Sequence, residues 1–368
     1  MDAIIVPTAR HPQALTEAIR LAAQLDCVLV TLCSQRSSAD AVVRLATQAD
    51  VELLAIDVDD LPTGLLPDFR TNYLPNTRLG LRRDTSLKRN LGLLIAWVAG
   101  WQRIVFLDDD IEIPEPLDLC RAAALSGWHA GVGLNISGYP DNSVVCHAYR
   151  QAGGAQDVFV GGGALAVHTG STSSFFPNIY NEDWFFLLSG EKLRSTAVIG
   201  TALQKPYDPF ARDLRARMEE FGDILAEGLF WLLDEGRTLR DADAAYWLQY
   251  LARRQRFIEE TMDMVRRMAA ASELEARMLS SLKAARGRCQ YIQPEWCEEY
   301  VRAWRADRRT WQQHLERFQP RRKQNRCAGD LDKVIAHLGL ALHPHRRLMP
   351  EPPGNTAIGR TLLIPPAQ

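Results

Sequence analysis

The first hundred residues alternate between short apolar runs and segments whose apolar residues recur every three or four positions. Residues 3–7, 28–33, 51–58 and 103–107 are compact runs rich in Val, Ile and Leu, and they predict strands. Between them, residues 12–24, 39–48 and 86–99 carry helical spacing; in the first of these, Leu15, Ile19, Ala22 and Ala23 fall on one face. This alternation predicts an α/β class: βαβ units with a mostly parallel central sheet flanked by helices, the Rossmann-like arrangement. In such sheets ligands bind in the crevice at the carboxyl ends of the strands. Polar residues fall there: Thr8 and Arg10 after the first strand, Ser34 and Arg36 after the second, Asp57 and Asp59 after the third, and Asp108 to Asp110 after the fourth.

Further along, residues 129–136 predict another strand, followed by a turn at Gly138-Tyr139-Pro140-Asp141-Asn142. Residues 144–150 and 158–168 read as paired strands, the second containing Gly161-Gly162-Gly163. The stretch 62–84, rich in Pro, Gly, Asn and Arg, has no clean period and reads as a surface loop bordering the crevice. After about residue 205 the pattern changes. Residues 211–235, 241–285 and 294–318 carry helical spacing with dense Glu/Arg pairs, and Trp231, Trp247, Trp296, Trp304 and Trp311 supply the bulk. The expected organisation is an α/β domain over 1–205, a helical region over 206–345, and a proline-rich tail over 346–368 lying on the surface.

Composition narrows the function classes. A net charge of -2 over 368 residues provides no electrostatic footprint for nucleic acid. The longest apolar run, residues 91–100, falls well short of the ~20 residues a membrane span needs, so no integral membrane segment is expected. The opening MDAIIVPTAR goes directly into a strand-like run and does not read as a signal peptide. Seven cysteines, an odd number with no CxxC pair, fit a reduced, cytoplasmic protein better than a disulfide framework or a zinc site.

The most informative segment is Arg103-Ile-Val-Phe-Leu-Asp108-Asp109-Asp110. A buried strand here delivers three carboxylates to its C-terminal edge, where Asp108 and Asp110 can face one side and Asp109 the other. Converging carboxylates raise one another's pKa. A hard divalent cation, Mn²⁺ or Mg²⁺, relieves that repulsion and keeps positions open for diphosphate oxygens. A bare Asp triplet is also compatible with a solvated turn capping the helix after Pro114; its place behind an apolar strand in an α/β half favours chemistry.

Two further clusters carry candidate chemistry. Lys88, Arg89 and Asn90 open a helix, where cations and backbone N–H groups suit phosphate or a sugar hydroxyl; Arg82 and Arg83 lie just upstream. Gly161-Gly162-Gly163 sacrifices packing, with close approach of a backbone or ligand as the return. Asn181 is a residue type favoured as an N-cap, with Glu182 and Asp183 in the first helical turn after it. Adjacent helical residues diverge by ~100°, so only one of these two carboxylates can aim at an acceptor hydroxyl as a general base.

In order along residues 3–205, Ile4-Ile5-Val6-Pro7-Thr8, Lys88-Arg89-Asn90-Leu-Gly92, Phe106-Leu-Asp108-Asp109-Asp110, Gly161-Gly162-Gly163-Ala164 and Asn181-Glu182-Asp183-Trp184 resemble the GT-A class of glycosyltransferases, the nucleotide-diphospho-sugar transferase fold. More narrowly, the chain resembles bacterial enzymes of the mannosylglycerate and glucosylglycerate synthase type. The resemblance implies transfer of a hexose from a nucleoside-diphosphate sugar to a small hydroxyl-bearing acceptor. It implies donor contacts from Pro7, Thr8, Arg10, Asp57 or Asp59, Lys88, Arg89, Asn90, Asp108 and Asp109, and a metal on the DXD-type motif through Asp110 with Asp108. It also implies an acceptor side at Gly162, Gly163 and Trp184. Resemblance to inverting members favours Asp183 over Glu182 as base, whereas in retaining members the same pocket positions the acceptor with no dedicated base, and the sequence leaves inversion and retention open. One departure stands out. Many members of the class use a late histidine as third metal ligand, and the segment from Gly200 to Phe210 has none; Gln204 or Asp208 are the polar residues available. His168, at a strand end, reads as a packed residue.

Residues 211–345 show no chemical motif. The run Arg321-Arg322-Lys323-Gln-Asn-Arg326 reads as an exposed loop, and the helices as a cover for the acceptor pocket or a contact between copies of the chain. Rival readings are a nucleotidyltransferase, disfavoured because Val6-Pro7-Thr8-Ala9-Arg10-His11 lacks glycine, and a sugar-nucleotide-binding scaffold without catalysis.

Overall fold

The computed structural model describes residues 1–349 apart from 60, 75–78, 80–83, 140–141, 156–159, 172, 189–192, 269–272, 319–329 and 341–344. The first half builds β1 (Ala3–Thr8), α1 (Thr16–Gln24), β2 (Val28–Cys33), α2 (Ala39–Ala46), β3 (Leu53–Asp57), α3 (Thr85–Ala99) and β4 (Arg103–Leu107) in the expected order. Then follow β5 (Ile111–Glu112), α4 (Leu117–Leu125), β6 (Val132–Gly138), α5 (Val144–Gln151), β7 (Ala164–His168), α6 (Glu182–Leu187) and β8 (Ala197–Gln204). The remainder is α7 (Asp213–Asp234), α8 (Ala244–Arg266), α9 (Glu273–Tyr291), α10 (Pro294–Arg317), α11 (Leu331–His337) and β9 (His345–Leu348).

The strands form one sheet in the order β5-β8-β6-β7-β4-β1-β2-β3-β9. Following the pairings across it, β1 to β4, β6 and β8 run one way, while β5, β7 and β9 run the other. The sheet is therefore mostly parallel in direction, with antiparallel strands interleaved on both sides of the β3-β2-β1-β4 block. That block is buried on both faces. Ala3, Ile5, Val30, Leu32, Ile104 and Phe106 belong to one core; Ile4, Val6, Leu29, Cys33, Val105 and Leu107 belong to the other. The split follows the two-residue period of an extended chain.

The second core packs α1, α2 and α4 on one face. The first core is larger: it runs from β1 and α3 through Phe175 and Phe185 to Phe221, Trp247, Trp304 and Trp311 of the C-terminal helices. The region after residue 205 thus shares a core with the α/β half. Among the tryptophans, Trp247, Trp304 and Trp311 are buried, and Trp231 is partly exposed. No helix among the described residues is long and apolar enough to cross a membrane, and the described cysteines are free.

Several expectations are corrected. Residues 144–150, predicted as a strand from their β-branched start, form α5. Ser143 Oγ accepts from the Cys146 N–H, and Glu219 of α7 accepts from the Val144 N–H at 2.8 Å. With these caps in place, Val144, Val145, His147 and Ala148 bury one helical face, and tertiary contacts override strand propensity. The predicted helix 241–285 is two helices, α8 and α9. The glycine run precedes β7 instead of lying inside it; residues 158–159 of that predicted strand are outside the described residues. β8 was not anticipated. Nor was β9, which pairs antiparallel with β3 and draws residues 346–348, assigned to the tail, into the sheet. Arg82, Arg83, the basic run 321–326 and the tail from residue 350 lie outside the described residues.

Candidate active site

The sheet order places a topological switch between β1 and β4. The chain goes from β1 outward through β2 to β3, then returns to lay β4 on the other side of β1. Loops leaving β1 and β4 must diverge there, which opens a crevice at their carboxyl ends. A cavity of about 690 Å³ occupies that place, within the ~300–1,000 Å³ common for small-molecule sites. Pro7, Thr8 and Arg10 line it from β1, Asp108, Asp109 and Asp110 from β4, and Lys88 and Arg89 from α3. Across the cleft stand Gly162, Gly163, Glu182, Asp183 and Trp184. Five segments far apart in sequence converge here.

The two strand ends are stitched together. Thr8 Oγ1 donates to Asp109 at 2.7 Å, and Arg10 donates to Asp109 and, at 2.8 Å, to Asp110. Asp110 also accepts from the Gln204 amide at 2.8 Å. Of the two residues available in place of a late histidine, Gln204 is therefore at the triplet. Asp208 instead pairs with Arg277 and accepts from the Phe210 N–H. Burial pushes the Asp108 carboxyl up to about 6, with Asp110 and Asp109 adding to the rise and Arg89 opposing it.

Arg89 is the hub. It is almost fully buried, and its guanidinium donates to Glu182 and Asp108, each at 3.0 Å, and to the Gly162 carbonyl at 3.1 Å. Burial disfavours its charge, but the carboxylates of Asp108, Glu182 and Asp183 outweigh that and hold it protonated. The glycine run now has a cause. A Cβ on Gly162 would sit 2.2 Å from Arg89 Nη1, so only glycine leaves room for the guanidinium. In α3, Gly92 similarly lets the helix approach β1, where a Cβ would stand 2.8 Å from Ile5.

Asp183 is held by two backbone donors, the Gly162 N–H and, at 2.9 Å, the Trp184 N–H. Its neighbour Glu182 is turned to Arg89. The divergence expected of adjacent helical residues is realised: one carboxylate belongs to the arginine hub and the other to the glycine turn. Asn181 is not a side-chain cap. It adopts the left-handed conformation (φ +63°), which asparagine tolerates better than most residues, and its amide donates to Asp223 of α7 at 2.9 Å.

Three expected donor contacts are not brought into place. Asp57 accepts from the Ala39 N–H at 2.8 Å, a bond to the start of α2, and does not line the cleft. Asp59 sits in the exposed turn beyond it. Asn90 faces away from the cleft: its amide donates to the Phe176 carbonyl and accepts from the Phe176 N–H, pinning the 173–181 segment. Lys88 does line the cleft, but its ammonium donates to the Thr8 carbonyl (2.8 Å) and Ser34 (2.7 Å) and pairs with Asp84 (2.8 Å). Those three partners take its three protons, making it a brace between β1, β2 and α3.

Residues missed from the sequence also line the cleft, notably Tyr207, Arg215, Asp223 and Glu227. Beside them His147 meets the Tyr207 hydroxyl at 2.8 Å; burial holds its imidazole down at about 4, with Arg215 and Arg150 adding to the shift. Glu220, Asp223 and Glu227 of α7, at i, i+3 and i+7, surround Arg254 of α8 at 2.6–3.0 Å. That acidic spacing was the available signal, on a helix that also carries Asp213, Arg215, Arg217, Glu219 and Asp234.

The chain matches no protein-family model and no curated protein. Among solved structures it is similar to a mannosyltransferase from Pyrobaculum calidifontis in complex with GDP-Man and Mn²⁺. The two are 12% identical, the match covers 90% of this chain and 86% of that one, and the TM-score is 0.36. A likeness of that degree says nothing of the reaction, so the cleft has to be read from its own residues.

Proposed function

We propose that the chain is a glycosyltransferase that moves a hexose from a nucleoside-diphosphate sugar to a hydroxyl-bearing acceptor. The observation that carries this reading is the joining of two carboxylate groups across one cleft: Asp108 at the end of β4 and Glu182 at the start of α6, both held by the buried Arg89. The triplet side suits a charged donor and the α6 side a neutral nucleophile.

On the donor side, Pro7, Thr8 and Arg10 edge the switch-point crevice, and Arg10 is half exposed, within reach of an anionic ligand. Asp108 and Asp110 offer two carboxylates, with the Gln204 amide beside them. Among the described residues no group of three His, Cys, Asp or Glu side chains converges as a metal cage. Oxygen donors of this number suit Mg²⁺ or Mn²⁺, which commonly use one or two carboxylates and leave the rest to water and phosphate. Bound there, such an ion would neutralise charge on the leaving diphosphate. Arg10, spanning Asp109 and Asp110, already sets one positive group against the triplet.

On the acceptor side, Asp183 is the candidate base. Its two backbone hydrogen bonds fix its orientation, and a carboxylate oxygen keeps a further lone pair for a hydroxyl proton. Arg89 keeps Glu182 as a positioning residue. A nucleoside-diphosphate release assay over UDP-, GDP- and ADP-sugars, with Mn²⁺ and hydroxylated acceptors, tests the reading. One donor class should turn over, and Asp183→Asn should lower transfer by about 10²–10⁴-fold, the usual contribution of a general base. Release from no donor, or an Asp183→Asn variant as active as the parent, would refute it.

A further inference from the structure

The main cleft does not end at Asp183. It shares Cys146, Trp184 and Glu227 with a second chamber of about 460 Å³, which the α/β half and the helical half wall together. Phe230, Trp231, Tyr250 and Phe257 line this chamber, with Arg253, Arg254 and Asp234 at its edges. Trp184 and Phe230 meet at 4.8 Å between ring centroids, edge to face. Arg253 lies over the Trp231 ring at 3.4 Å. Glu227 is fixed by Arg254 at 2.6 Å and stays partly open.

We propose that this chamber is the acceptor site and that it takes a pyranose ring, so that the acceptor is a saccharide or glycoside. The inference rests on the transferase reading and names its second substrate. A sugar ring has an apolar C–H face and a polar rim. The chamber has flat aromatic walls and, beside them, two carboxylates and two guanidinium groups. An alkyl chain would satisfy the walls but make no use of the polar groups beside them, the partly open Glu227 and the exposed Asp234. A phosphorylated ligand would face the same two carboxylates with Arg253, stacked on Trp231, as its counter-charge, because the Arg254 guanidinium is already ringed by Glu220, Asp223 and Glu227. Continuity with the reaction centre comes from the chain itself: Trp184, shared by both cavities, directly follows Asp183. A ring against Trp184 carries its rim hydroxyls toward the candidate base. The volume also exceeds what a three-carbon acceptor would need.

Two measurements on the full chain decide the point. The first is saturation-transfer NMR with methyl α-D-mannopyranoside, methyl α-D-glucopyranoside and cellobiose, with glycerol as the open-chain control and no donor present. At least one pyranoside should bind, glycerol should not, and Phe230→Ala and Trp231→Ala, checked for folding by circular dichroism, should abolish the signal. The second is acceptor kinetics with the donor that turns over. Each variant should raise the acceptor KM about tenfold, the scale of one lost ring contact, and leave donor affinity as in the parent. If glycerol serves as well as any pyranoside, or the variants leave acceptor KM and NMR binding intact while donor is still consumed, the chamber assignment is wrong and the transferase reading survives. If pyranosides bind in the chamber and no donor is consumed, the chamber is a pyranose-binding site, and the transferase reading falls together with the acceptor role.

Discussion

Two buried arginines, Arg89 in the main cleft and Arg254 in the chamber that joins it, do different things. Arg89 of α3 ties together Asp108 and Glu182, whose side chains remain 30% and 12% accessible from the cavity. Arg254 of α8 ties together Glu220 and Asp223, which are almost fully buried, and Glu227, which stays partly open; Asp223 and Glu227 border the cleft. Both pay the desolvation of a guanidinium, and both recover it through several charge-assisted hydrogen bonds. At Arg89 the carboxylates are left where a ligand can compete for them, so the hub organises chemistry. At Arg254 burial drives Glu220 and Asp223 upward in pKa even beside the arginine, and the cluster's work is to lock α7 against α8. Through Asp223 and Asn181 it also sets the chain just before Glu182. A buried ion cluster is therefore read by what its acids can still touch.

The sharpest way to break this contrast is Arg254→Met. Removing the cation strands two sealed carboxylates, and unfolding free energy should fall by about 3–5 kcal/mol, measured by urea titration; a loss below ~1 kcal/mol would mean the cluster does not hold the helices. Gly162→Ala should cost less stability, about 1–3 kcal/mol as for other overpacked sites. It should cut turnover disproportionately, because the new methyl displaces the Arg89 guanidinium; an alanine variant with unchanged kcat would remove Arg89 from the account. A pH series sharpens the third element, His147. Its folded value of about 4 lies below the usual 6.5, so between those values the unfolded chain binds a proton that the folded chain refuses. Stability should fall as pH drops from about 6.5 to about 4, and His147→Gln should flatten that slope. The smallest effect is expected for Thr8→Val, about 1 kcal/mol for one lost hydrogen bond, since Asp109 keeps Arg10.

Much of the α/β half was legible because its strands are buried on both faces and read as continuous apolar runs. A crevice at the carboxyl ends of the strands was expected, its place between β1 and β4 coming only with the strand order, and Arg89, Asp108 and the Glu182–Asp183 pair stood out as charges placed at element ends. Asp57 and Asn90 sat at element ends too, yet serve the backbone: sequence position gives the end of an element, not the direction of a side chain. Arg254 was illegible because it sits among Arg253 and Arg256 in a segment that reads as a solvated face. Its partners lie some thirty residues away and meet it only through helix packing. The α5 segment misled through its two leading valines, while the capping groups that make it helical include a glutamate from another helix. β9, with the polar sequence His-Arg-Arg-Leu, owes its form to the edge of β3 rather than to its own pattern.

The central claim is that Asp108 to Asp110 hold a nucleoside-diphosphate sugar with a divalent cation. A thermal-shift panel of UDP-, GDP- and ADP-sugars, with Mn²⁺ or with EDTA, on the parent chain and on Asp110→Ala, tests it most directly. One donor class should raise the melting temperature by a few degrees at a hundredfold excess over Kd, equivalent to about 2.7 kcal/mol, only with metal and only in the parent. A shift that persists in EDTA or in Asp110→Ala, or none with any donor, would contradict it.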